Sequence, residues 1–180
     1  MAKELLGKVL VRRIRKELAE ELFGIKKDLI LAGIITETEA YFGEDDPASV
    51  LATRGRKFGR LMHEEPGITF IYMVHANWLL NIVAHPAGEA GAVLIRSIKP
   101  ISGVAYMKRL RGTNNDKNLT NGPGKLTKAL YITKELNGIP VYRKDRLWIC
   151  DGPAPERIYT SRRIGVRRDL NRDLRFYILI

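Results

Sequence analysis

The stretch Leu29–Ser49, LILAGIITETEAYFGEDDPAS, constrains the fold more than any other part of the chain. Leu29–Ile35 is apolar on both alternating faces, the pattern of a buried central strand. It then runs without a break into acid, with Glu37, Glu39, Glu44, Asp45 and Asp46 falling within ten residues. Carboxylates at the end of such a strand sit at the lip of the core, partly stripped of water and open to environmental tuning. In extended backbone Glu37, Glu39 and Tyr41 share one side, while Thr36, Thr38 and Ala40 share the other.

Neighbours for this strand recur along the chain. Apolar runs rich in Val, Ile, Phe and Tyr at Lys8–Ile14, Ile68–His75, Trp78–Ala84, Ala92–Ile98, Leu147–Cys150 and Leu174–Leu179 read as further strands. Ser102–Leu110 and Gly124–Glu135 carry apolar residues at helical spacing. Helices are too few and too late to alternate with the strands, so a doubly wound parallel sheet is not expected. The expectation is an α+β fold, one domain over residues 1–180, with a curved, largely antiparallel sheet and a few packed helices. His75–Trp78, between two strands, reads as a hairpin tip.

Composition bears on partners. The 180 residues contain 31 Lys+Arg against 20 Asp+Glu, a formal charge of +11. Between Arg157 and Arg175 seven arginines face two aspartates. Such an excess points to a polyanion, nucleic acid above all, although a solvated basic surface has the same composition. Cys150 is the single cysteine, and His63, His75 and His85 lack metal-ligand spacing, so neither a disulfide framework nor a zinc site is expected. The N-terminal residues lack the pattern of a signal peptide, and no apolar run is long enough to span a membrane. A soluble, intracellular monomer that needs no cofactor is expected.

Two residues carry chemistry. A glutamate at the lip of the core can serve as a general base, although a lone glutamate there is more often a strand fraying into solvent. Arg96 interrupts the apolar strand AVLIRSI, and a guanidinium is not buried without a partner. Glu37 or Glu39 would supply one, and a converging Glu and Arg can hold and polarise a water or form a structural ion pair. Tyr41 and Tyr72 beside the acid suit the faces of a planar base, each contact contributing roughly 1–3 kcal/mol, although a strand tyrosine is also a common core residue. His75, Asn77 and Trp78 at an exposed tip would probe a groove or wedge into a base stack. Gly124-Lys125 lacks the leading glycine and the following Ser or Thr of a phosphate loop, and Pro47 marks Glu44–Asp46 as a polar turn.

The ordered series LLGKVLVRR, ETEAY, PG with FIY, Asn81, AVLIRSIKP, GPGKLTKAL, RIGV and LRFYI resembles the 3-methyladenine (alkyladenine) DNA glycosylase family over nearly the whole chain. That resemblance implies monofunctional base excision in double-stranded DNA. A damaged purine, alkylated or deaminated, would be flipped from the duplex and removed by water attack at C1′. It assigns Glu39 as the general base, with Arg96 and the main-chain carbonyl of Ile164 placing the water. Tyr41 and Tyr72 would sandwich the base, and Asn81 would crowd the exocyclic amine of normal guanine. His75, with Trp78, would intercalate, and Arg162 and Arg163 would meet the DNA backbone. Two positions depart from the family pattern. Val50 follows Pro-Ala-Ser where a histidine is common, which removes a hydrogen-bonding reader of the base. His75 replaces an intercalating tyrosine on a turn one residue shorter. The rival expectation is a catalytically silent DNA- or RNA-binding domain on the same scaffold.

Overall fold

The computed structural model describes residues 1–86 and 88–180. Its centre is the long strand β2 (Leu29–Tyr41), flanked by β1 (Val9–Ile14) and β5 (Ala92–Ser102), both antiparallel to it. Outward from β5 lie β4 (Asn77–Val83) and β3 (Thr69–Val74), and outward from β1 lies β6 (Leu147–Cys150). The result is the expected α+β architecture, with an antiparallel sheet curled into a half-barrel. Leu31, Ile35, Leu10, Ile14 and Ile95 are fully buried in the main core with Met107, Leu126 and Leu130. Within Leu29–Ile35, Ile30 is exposed at 37%, and Leu29 and Ile34 are half-buried.

The sheet is split at the point that matters. β1 pairs with β2 only as far as Ile34. From Glu37 to Glu39 the same edge of β2 is taken over by β8 (Arg175–Tyr177), which in turn pairs with β7 (Tyr159–Ser161). On the opposite edge the register with β5 slips three times: Ile101 is skipped between Ala32↔Ser102 and Gly33↔Pro100, Thr36 between Ile35↔Ile98 and Glu37↔Ser97, and Arg96 before Thr38↔Ile95. Such bulges bend a strand and re-aim the side chain of the extra residue. Here the extra residue is Arg96, turned toward the acids of β2.

Helices fill the remaining sides. α1 (Lys16–Phe23) ends at Gly24, whose left-handed φ of 73° turns the chain so that its own N–H donates to the Glu20 carbonyl and the Ile25 N–H to that of Ala19. α2 (Val50–Arg54) is capped by the buried Ser49, whose side chain accepts from the Leu51 N–H. α3 (Val104–Arg111) and α4 (Pro123–Ala129) pack together on one side of the sheet. The helix expected over Gly124–Glu135 therefore closes at Ala129, and a short 3-10 turn at Lys134–Leu136 follows. Among the described residues, no helix is long and apolar enough to cross a membrane.

Candidate active site

Glu39 is fully buried and accepts three hydrogen bonds. Its Oε1 accepts the Ile164 N–H at 2.8 Å, and its Oε2 accepts the Tyr41 hydroxyl at 2.9 Å and Arg96 Nη1 at 3.2 Å. Arg96 also donates Nε to Glu37 Oε1 at 2.8 Å, and Glu37 Oε1 accepts Arg175 Nε at 2.6 Å. Two carboxylates and two guanidiniums thus alternate across β2, β5 and β8. Each charge has an opposite partner, which is the condition for keeping such groups out of water.

A cleft of about 700 Å³ opens in front of this array. Tyr41, Arg96 and Ile164 line it together with Val50, Tyr72, Leu79 and Leu94, while Arg54, His75, Asn77, Arg111 and Lys125 add polar and cationic groups. Among its lining residues none is acidic. Burial, reinforced by the Glu39 charge, pushes the Tyr41 hydroxyl well above its ordinary pKa, so it remains a donor to Glu39 throughout the neutral range. Burial raises the Tyr72 hydroxyl as well, with Arg54 opposing and Glu39 adding to the rise.

The acidic run after the strand has a structural explanation that sequence reasoning missed. Asp46 is buried, accepts the Phe42 and Ala48 N–H groups, and receives Arg163 Nη1 at 2.6 Å and Nη2 at 2.7 Å. Arg163 also donates to Asp169 and to the Ala40 carbonyl, and its guanidinium lies 4.5 Å from the centre of the Tyr41 ring. Hydrogen bonds to two carboxylates outweigh burial and hold the Arg163 guanidinium even more firmly charged than usual. The expectation that Arg163 meets the DNA backbone is therefore corrected: its side chain has no exposed surface, because it is the counter-ion of Asp46. Arg162, its neighbour, is exposed at the surface and hydrogen-bonds Asn171.

Two other expectations change, and Ile164 gains a contact. Its N–H donates to Glu39, a bond not expected beside the role given to its carbonyl, while its side chain is half exposed along the cleft. Asn81 does not line the cleft; it is buried on β4 and donates to the Phe70 carbonyl. Trp78 is not at the hairpin tip. The turn is the pair His75 and Ala76, both left-handed at φ 45° and 60°, while Trp78 already lies within β4 opposite Met73 and packs on the main core. His75 is exposed at the tip and reaches the cleft. The hairpin approaches α4 so closely that a Cβ on Gly124 would lie 2.8 Å from the Asn77 side chain, which explains glycine there.

Residues 1–179 match the profile described as methylpurine-DNA glycosylase. A protein of Aeropyrum pernix is 42% identical over 183 residues, covering 99% of this chain and 82% of its own. One of Prosthecochloris aestuarii is 37% identical over 181 residues, with 99% and 81% covered, and one of Bacillus licheniformis 37% identical over 167, with 92% and 79%. All three carry the provisional name of a 3-methyladenine DNA glycosylase. With a match that spans the sheet, both helices on it and the loop that meets Glu39, the chain belongs to the methylpurine-DNA glycosylase family.

Proposed function

We propose that the protein is a monofunctional DNA glycosylase that removes alkylated purines from duplex DNA. The observation that carries this reading is the buried Glu39, bound to Arg96, Tyr41 and the Ile164 N–H behind a cleft walled by Tyr41 and Tyr72. Glu39 takes a proton from a water as that water's oxygen bonds to C1′ of the deoxyribose. The C1′–N bond breaks through an oxocarbenium-like state, and the base leaves with the bonding pair. A purine made cationic by N-alkylation leaves as a neutral molecule and needs no acid, which suits a cleft lined by no carboxyl group.

Base flipping supplies the access that the chemistry requires, and it is least costly for damaged or mispaired bases. His75 at the hairpin tip is the wedge in this reading, and Arg54, Lys125 and Arg162 meet phosphates. Val50 offers the flipped base contact but no hydrogen bond. Deaminated purines, which are neutral and distinguished by hydrogen bonding, are accordingly poorer substrates than alkylated ones. Asn81 acts only indirectly, by fixing β3 against β4.

The test is release of free base from duplexes carrying one 7-methylguanine, one 3-methyladenine or one hypoxanthine. The expected products are free methylated purine and an abasic strand that stays intact until alkali is added, with hypoxanthine released more slowly. Binding of all three duplexes without release of any base would instead favour a silent binding domain.

A further inference from the structure

Glu39 has a fixed number of places to accept a proton. A carboxylate offers about four lone-pair positions. Three are occupied, one on Oε1 by the Ile164 N–H and two on Oε2 by Tyr41 and Arg96. The second position on Oε1 is the remaining place for a water proton. Arg96 presents a planar fork able to grip both oxygens of one carboxylate, and that two-point grip is the strongest arrangement available to the pair. It is not adopted. Arg96 spends Nε on Glu37 and reaches Glu39 through Nη1 alone.

We infer that Glu37 is a positioning residue: by holding Arg96 through Nε it prevents a two-point Arg96–Glu39 pair and keeps Glu39 able to act as a base. The inference rests on the glycosylase reading above. Arg175 is the counterweight, since it shares Glu37 Oε1 and lies opposite Glu39 in the β2–β8 register. Glu37, Arg96 and Arg175 are only 16%, 11% and 21% exposed, so water screens their mutual pull weakly. The groups facing Glu39 are Glu37 and Tyr41 on its own strand, Arg96 on β5, Arg175 on β8, Tyr72 on β3, and Arg163 behind the Tyr41 ring. Of these, Glu37 alone opposes the pull of Arg96 by accepting from the same guanidinium.

Two substitutions move this balance in opposite directions. In Glu37→Gln the side chain keeps its shape and carbonyl acceptor but loses the charge that competes for Arg96. Arg96 then favours Glu39, a proton is bound less readily, and the acid limb of the pH–rate profile moves to lower pH. The plateau rate falls because the base is weaker, by roughly 10- to 100-fold. In Arg175→Met, Glu37 draws Arg96 more strongly and Glu39 loses a nearby cation, so the acid limb moves to higher pH.

The experiment is single-turnover release of 7-methylguanine between pH 5 and 9 by the native protein and both variants, with duplex Kd and Tm measured alongside. Opposite shifts of the acid limb at unchanged Kd are expected, a signature that loss of stability alone does not produce. Profiles that coincide with the native one, or that fall in amplitude without moving, overturn the role of Glu37 and leave the glycosylase reading intact. Failure of the native protein to release any base overturns that reading first, and the inference with it.

Discussion

At the scale of single residues the site depends on hydrogen bonds to one buried carboxylate. Tyr41 both donates to Glu39 and presents its ring to the cleft, and Tyr41→Phe separates the two roles. The ring is retained, so DNA binding is expected to hold, while loss of a hydrogen bond to a charged group, worth about 1.5–3 kcal/mol, slows base release roughly 10- to 100-fold. Single-turnover rates beside duplex Kd check this, and an unchanged rate would show that the hydroxyl is idle. Because burial and Glu39 both hold the Tyr41 hydroxyl protonated, its ionisation is not expected to create a decline in rate near neutral pH. The convergence of Arg96 on Glu37 and Glu39 was legible in sequence, since a guanidinium in an apolar strand demands a carboxylate. Asp46 was not. Nothing in the run Glu44–Asp46 distinguishes the one acid that is buried from the two that are exposed, and its partner Arg163 lies 117 residues away.

Among elements, the strands were legible because their periodicity reports burial directly. The five-residue α2 and the three-residue β7 fell below the length at which a pattern stands out, and α1, which begins with no side-chain cap, was missed as well. The bulge that turns Arg96 inward leaves no mark in sequence, because it is a property of register between two strands. The loop from Phe42 to Ser49 is organised by Asp46, which ties it to Arg163 and thereby to the segment that carries Ile164. Asp46→Asn is expected to destabilise the protein by about 3 kcal/mol, since it leaves a buried guanidinium one carboxylate short. Burial alone would raise the Asp46 carboxyl, but Arg163 and the two loop amides more than offset this and hold it below its ordinary value. The native contribution is therefore complete above ~pH 4 and is lost only as pH falls through the lower folded value. Urea denaturation at pH 7 and pH 3 checks both parts: the gap between native and variant should be wide at pH 7 and narrower at pH 3. Equal gaps at the two pH values would contradict the assignment.

For the whole molecule, the distribution of charge explains how a basic chain keeps its acids at the centre. Glu37, Glu39 and Asp46 are matched inside by Arg96, Arg175 and Arg163, so the excess of cations is left on the surface, where Arg54, Arg162, Arg167 and Arg168 are exposed. Binding to undamaged duplex is expected to weaken with salt, log K falling by about 0.9 per log[salt] for each phosphate neutralised, for a total slope on the order of −4. A flat response in a salt titration would mean that this surface does not meet DNA. The central claim, that Glu39 activates the attacking water, is tested most directly by single-turnover release of 7-methylguanine by the native protein and Glu39→Gln at matched, saturating occupancy. The expected result is loss of release by roughly 10²–10⁴-fold with duplex Kd unchanged; release by Glu39→Gln at the native rate would place the base elsewhere.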